Sequence, residues 1–375
     1  MSKPVIGIDG NEANVTNRVG SNVFAFELLQ AMDRYLQDKP LFEAVVYLSQ
    51  PPLADMPPAR SGWRYEIVPH QPLWGLWRLP LGLWQKRQID LFFSPGHYLP
   101  SFSPVPLVST IMDLAYEHFP TYFRSKDRYQ LSLFTRWGVK HSIHTFAISE
   151  ATKQDIIALY HQPAEKISVV YPGVEERQLL TDAVVQDQLK HLDVQAPYIL
   201  FVGTLQPRKN LVRLVKAFEW LREQGFPGQL VIAGKIGWQA EAIVDSLEQS
   251  SAHDHIRHLG FVSDEAKQAL IQSAEMLVLP GLYEGFGIPP LEAIQLGTVP
   301  VVSDVSSLPE VVPVKELRFD PESVADMGQT MLRVWQQSAL GRKAWIQELQ
   351  QQTKKFNWDT SAELVCHQLF QLVEK

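Results

Sequence analysis

Short unbroken runs of aliphatic residues alternate along the chain with longer stretches of helical period. In the first half the apolar runs fall at 5–9, 44–48, 91–94, 107–110, 145–148 and 167–170. In the second half they fall at 198–203, 229–234, 276–280 and 299–303. Several lack polar alternation, as strands covered on both faces do. Helical stretches separate many of them, which predicts βαβ units in parallel sheets. Two such series predict an α/β protein of two doubly wound, Rossmann-like domains. A Pro-Gly step within 171–178 marks the boundary, giving expected domains 1–172 and 173–355. The tail 356–375 has the pattern of an amphipathic helix, with Leu364, Leu369 and Leu372 on its apolar side and Asp359 or Thr360 as its N-cap.

Composition narrows the function. A length of 375 residues suits two domains. The one cysteine, Cys366, cannot build a disulfide framework or a multi-cysteine metal site, which fits a reducing compartment. The start resembles no signal peptide, and no run reaches the ~20 apolar residues that span a bilayer. The expected location is the cytoplasm. The net charge is −7, with the acidic excess in the second half, which argues against a nucleic-acid binder. There is no Asp-X-Asp triplet and no histidine–carboxylate cluster at metal spacing, so neither a divalent ion nor another cofactor is expected to be required.

Two segments carry a different signal. Residues 124–140 hold Arg124, Lys126, Arg128, Arg136 and Lys140 against Asp127. They read as a solvated helix face, or as a surface for anionic lipid or a phosphorylated acceptor. Residues 73–88 bring Trp74, Trp77 and Trp84 close together. They read as a segment packed on the N-terminal core, or as a peripheral membrane contact.

The chemistry concentrates in residues 276–303, MLVLPGLYEGFGIPPLEAIQLGTVPVVS. A buried strand ends in a loop with Glu284, Gly285, Phe286 and Gly287, and the loop feeds a helix. Pro289 and Pro290 suit its first turn and Gly297 its end. Glycines let backbone N–H groups approach a ligand, and the helix N-terminus adds a positive dipole end, a combination that favours a diphosphate. Glu284 at the loop and Glu292 about two turns into the helix can accept hydrogen bonds from two groups of hydroxyls. Ser149 reads as a helix N-cap.

This run resembles the C-terminal signature of the family-4 retaining glycosyltransferases, which share the two-Rossmann GT-B fold. LFVGTLQPRKNL at 200–211, VIAGKIGW at 231–238, HLGFVSDEAKQALIQSAE at 258–275 and SDVSSLPEVV at 303–312 follow in the family's order. GIDGNEANVTNRVGSNVFAFELLQAM at 7–32 and FFSPGHYLPSF at 92–102 resemble bacterial members described as mannosyltransferases. The resemblance implies a nucleotide-sugar donor, GDP-mannose by preference or a UDP-sugar, and a saccharide or lipid-linked acceptor. It assigns Glu292 to the donor ribose and Glu284 to the transferred sugar, with Gly285, Phe286 and Gly287 near the donor. It pairs Lys209 and Arg208 with the diphosphate and brings Gly20 to the same phosphates from the other domain. The tail helix would cross back onto the N-terminal domain.

Two departures stand out. Thr204 follows Gly203 where many relatives carry arginine, and Met112 precedes Asp113 where relatives often carry histidine. Asp113 and His97 remain as candidates near the acceptor, although Asp113 also reads as a turn residue and His97 as structural. Two other classes fit the sequence less well. A sugar-nucleotide-binding protein without turnover is disfavoured by Glu284, Glu292 and Lys209 together. A nicotinamide-dependent dehydrogenase lacks its Gly-X-Gly-X-X-Gly turn, since the first strand leads to GIDGNEANV.

Overall fold

The computed structural model describes residues 3–69, 74–86, 88–174 and 178–374. The chain forms two compact units. One comprises Met1–Gly173 with Phe356–Lys375, and the other Val174–Lys355.

In the first unit seven strands lie in one parallel sheet: β1 (Val5–Asp9), β2 (Glu43–Leu48), β3 (Trp63–Ile67), β4 (Leu91–Ser94), β5 (Leu107–Ile111), β6 (Ser142–Ala147) and β7 (Ile167–Val169), in the order β3-β2-β1-β4-β5-β6-β7. In the second, β8 (Tyr198–Val202), β9 (Gln229–Ala233), β10 (Ile256–Gly260), β11 (Met276–Leu279), β12 (Pro300–Ser303) and β13 (Arg318–Phe319) run β10-β9-β8-β11-β12-β13. Strand order reverses between β1 and β4 and between β8 and β11. Open α/β sheets bind ligands beyond the carboxyl ends of strands at such reversals.

The central strands are the continuous apolar runs, and β4, β11 and β12 are buried along their whole length. Three strands escape the apolar pattern. β3 (WRYEI) and β10 (IRHLG) interleave polar residues, and β13 is two residues long. All three are edge strands, covered less than the centre, so they carry no unbroken hydrophobic run.

The C-terminal helix, Trp358–Glu374, packs on the helix Ser21–Asp38 that follows β1. Phe24 and Trp358 meet edge to face at 5.6 Å, and Tyr35 Oη lies 2.8 Å from His367 Nε2. Two expectations for this helix are corrected. Asn357 caps it, accepting the Asp359 N–H at 2.8 Å, so neither Asp359 nor Thr360 is the cap. Leu364 points outward and is exposed, while Ala362, Val365, Cys366 and Leu369 form the buried face. Glycine is required at Gly173, where a Cβ would lie 2.4 Å from the Trp358 backbone nitrogen.

Of the expected boundary segment, residues 175–177 lie outside the described residues, as do 73 and 87 of the tryptophan-rich stretch. Part of that stretch packs on the core. Leu79 and Leu83 join the core and Trp74 donates its indole N–H to the Val68 carbonyl at 2.7 Å, but Trp77 and Trp84 face outward. Among the described residues no helix is long and apolar enough to cross a membrane.

Candidate active site

The loops leaving β8 and β11 are stitched to each other by backbone and side chain. After β8 the chain turns through Pro207–Lys209 into Asn210, which has φ 60° and starts the helix Leu211–Glu223. Asparagine is among the few residues that enter this left-handed region readily. Its buried amide donates to the carbonyls of Pro280 at 3.0 Å and Pro321 at 2.8 Å. The Leu282 N–H donates to the Arg208 carbonyl at 2.8 Å.

This stitching places both cations over the glutamate loop. Arg208 Nη1 donates to the Tyr283 carbonyl at 3.0 Å and lies 3.5 Å from Glu284 Oε2. Lys209 Nζ lies 2.7 Å from each Glu284 carboxylate oxygen. Glu284 itself is only 6% exposed. Its N–H donates to Ser306 Oγ at 2.9 Å, and Ser307 Oγ donates to the carbonyls of Glu284 and Phe286, each at 2.8 Å. The structure therefore brings Lys209, Arg208 and Glu284 into one cluster.

Gly287, at φ 112°, is the N-cap of the helix Ile288–Leu296, which carries prolines in its first turn and ends at Gly297 with φ 86°. As a glycine, the N-cap brings no side chain of its own to cap it. Glu292, in this helix, is paired with Lys267 at 2.7 Å.

In the first unit, Gly20 adopts φ 55°, ψ −115° as N-cap of the helix after β1, again a glycine with no capping side chain of its own. Glu12 holds this turn. Its Oε2 accepts from Asn22 Nδ2 at 2.7 Å and Ser21 Oγ at 3.2 Å, and its side chain lies against Gly96. Nearby, burial pushes the Asp9 carboxyl up to about 6, against the lowering effect of the Asn11 donors and with Glu12 adding to the rise.

His97 follows β4, and its Nδ1 is buried with no hydrogen-bond partner among the described residues. Burial lowers its pKa and Asp113 opposes the shift. Asp113 accepts the Ala115 N–H at 3.1 Å, opening the short helix Ala115–His118. Met112 is buried. Ser149 is a cap, accepting the Thr152 N–H at 3.0 Å.

Four participants carry no mark in the sequence. Lys267, Ser306 and Ser307 belong to segments that follow the family's order, yet nothing local marks the contacts of Ser306 and Ser307 with the glutamate loop or of Lys267 with Glu292. Glu12 lies in GNEANV, where only its position just after a strand end hints at a role.

As a turn residue and as a group that orients the reacting atoms, Asp113 has different consequences. Loss of the turn hydrogen bond alone costs about 1 kcal/mol, which is a fall in Tm of roughly 2–4 °C. If Asp113 also orients a reacting group, Asp113→Ala lowers kcat about 10²-fold with donor affinity unchanged. We expect the second outcome. Parallel measurement of kcat, donor affinity and Tm decides it, and an activity loss that tracks unfolding would leave Asp113 as a turn residue alone.

Residues 186–352 match the family model for glycosyl transferases group 1, and residues 20–178 match that for Glycosyltransferase Family 4. The chain is a family-4 glycosyltransferase of GT-B fold. The O-antigen chain mannosyltransferase B of Escherichia coli is 27% identical over 364 residues, covering 91% of this glycosyltransferase and 93% of that protein. The serotype-specific mannosyltransferase WbdA of Escherichia coli is 29% identical over 61% of this chain, a match to 29% of its own length. Among solved structures, sucrose-phosphate synthase from Thermosynechococcus elongatus superposes with a TM-score of 0.76, covering 99% of this chain and 100% of that one at 17% identity. Anabaena HepE in complex with UDP and glucose superposes with a TM-score of 0.74, over 98% and 99%, at 15% identity. These distant structures share the fold.

Proposed function

We propose that this glycosyltransferase moves mannose from GDP-mannose, with retention of anomeric configuration, to a glycan or lipid-linked saccharide. The observation that carries the reading is the cation pair Arg208–Lys209 anchored against Glu284 at the carboxyl ends of β8 and β11. As the bond from sugar C1 to the diphosphate breaks, negative charge grows on the leaving oxygen. Cations fixed there stabilise the transition state more than the ground state. The acceptor hydroxyl oxygen forms the new bond to C1, and its proton passes to the leaving diphosphate on the same face. That route needs no paired nucleophile and acid of the kind glycosidases use.

In this reading Glu292 binds the ribose hydroxyls, Glu284 the hydroxyls of the transferred sugar, and Gly285, Phe286 and Gly287 line the donor. Gly20 offers backbone donors to the diphosphate, while His97 and Asp113 serve the acceptor. The mannose preference is supported by the Escherichia coli mannosyltransferases. HepE, solved with UDP-glucose, supports a UDP-sugar as the second reading. The location belongs to the proposal too: the cytoplasm, at the inner face of the membrane.

Calorimetry with donor and with free nucleoside diphosphate separates the two glutamates. A hydrogen bond to a charged group contributes about 1.5–3 kcal/mol, or roughly 10- to 100-fold in affinity. Glu292→Gln is expected to weaken both ligands by such a factor, whereas Glu284→Gln weakens the sugar donor and spares the free diphosphate. Equal penalties across all four combinations would refute these roles.

A further inference from the structure

The two segments whose sequence hinted at a membrane contact are distant in the chain and are joined in the first unit through the loop after β4. The helix Ser125–His141 exposes Lys126, Tyr129, Leu133, Arg136 and Lys140. Their spacing of three or four residues puts all five on one side of the helix. Tyr129 is 71% exposed and Leu133 50% exposed, and both lie between the three cations. The loop after β4 joins this helix to the tryptophan segment. Tyr98 packs edge to face on Phe134 of the helix at 5.7 Å. Four residues on, Phe102 packs edge to face on Trp77 at 6.2 Å, and the Ser101 hydroxyl donates to the Leu76 carbonyl. Trp77, Leu81 and Trp84 extend the exposed apolar surface along the segment Trp74–Lys86.

We infer that this face docks on an anionic lipid bilayer, with Trp77, Tyr129 and Leu133 inserting among the headgroups and Lys126, Arg136 and Lys140 pairing with lipid phosphates. The inference takes its partner from the location proposed above and is independent of the donor assignment. Interfacial helices combine these features, aromatic and leucine side chains to immerse and flanking cations for the negative surface. A bilayer is favoured because the cations and the apolar groups occupy the same helix face, as a layered interface requires.

Vesicle co-sedimentation tests the inference, using phosphatidylcholine vesicles with and without phosphatidylglycerol. Each basic residue near such a surface changes partitioning by roughly fivefold. The variant Lys126→Gln/Arg136→Gln/Lys140→Gln is therefore expected to lose about 100-fold in binding to phosphatidylglycerol vesicles. Trp77→Ser is expected to lose roughly tenfold, with little dependence on salt. An unchanged Tm and unchanged turnover of a water-soluble acceptor show that both variants fold. Equal wild-type binding to both vesicle types, or binding by the triple variant at the wild-type level, would overturn the inference. So would a lipid-free dimer that Trp77→Ser dissolves, which would assign the face to a second copy of this chain. Donor calorimetry without lipid tests the functional reading alone, so either claim can fail without the other.

Discussion

Replacing Lys209 by alanine is expected to lower turnover by about 10²–10³, the scale of removing one preorganised donor from a developing charge. Lys209 has two duties in the structure, and the variant removes both. Its ammonium sits 2.7 Å from both oxygens of Glu284, and the pair is largely buried. Removing one partner of a buried ion pair leaves an uncompensated charge, at a cost of about 3–5 kcal/mol. Arg208 at 3.5 Å offsets part of that cost. The rate loss must therefore be separated from a stability loss. In Lys209→Ala/Glu284→Gln the stranded carboxylate is neutral, so Tm recovers towards wild type while turnover stays low. Turnover that recovers with Tm would make Lys209 a structural residue, and single-variant turnover within threefold of wild type would remove it from the chemistry.

Gly234→Ala is expected to be the most destabilising glycine substitution in the second unit. A Cβ there would lie 1.9 Å from the Gly203 carbonyl oxygen and 2.6 Å from its carbon. Neither backbone can step aside cheaply. The Gly203 N–H donates to the Ala233 carbonyl at 2.9 Å, and the Gly234 N–H to the Gly260 carbonyl at 2.7 Å. Forced overpacking of this kind costs about 3 kcal/mol or more, which corresponds to a fall in Tm of roughly 6–12 °C. Gly203 begins the loop that carries Arg208 and Lys209, so donor affinity should fall with stability. Gly225→Ala is the control. Its Cβ meets nothing within 4 Å and only its φ of 95° is unfavourable, so about 1–2 kcal/mol is expected. Similar melting temperatures for the two variants would contradict the packing argument.

The central strands were legible in the sequence because burial on both faces leaves unbroken aliphatic runs such as MLVL at 276–279. The edge strands β3, β10 and β13 were not, because partial cover lets polar residues in. The glutamate loop was legible because glycines and prolines punctuate it locally. The contacts that hold it and the helix after it were not. Lys267 meets Glu292 across 25 residues, and Lys209 meets Glu284 across 75. Such pairings depend on strand order, which no local pattern states. The tail helix shows the same limit on a smaller scale. Its existence followed from periodicity, but Leu364 lies on the exposed face because the buried stripe is set by the helix Ser21–Asp38 beneath it.

The most direct test of the account uses purified protein, GDP-mannose labelled with carbon-13 at C1, and a lipid-linked saccharide acceptor. Nuclear magnetic resonance follows the labelled carbon while released nucleotide is quantified. GDP is expected to be released one for one with mannose transferred, with a one-bond carbon–proton coupling at C1 that marks the α-anomer of the donor retained in the product. A β-linked product, or no nucleotide release from any nucleotide sugar with any saccharide acceptor, would contradict it.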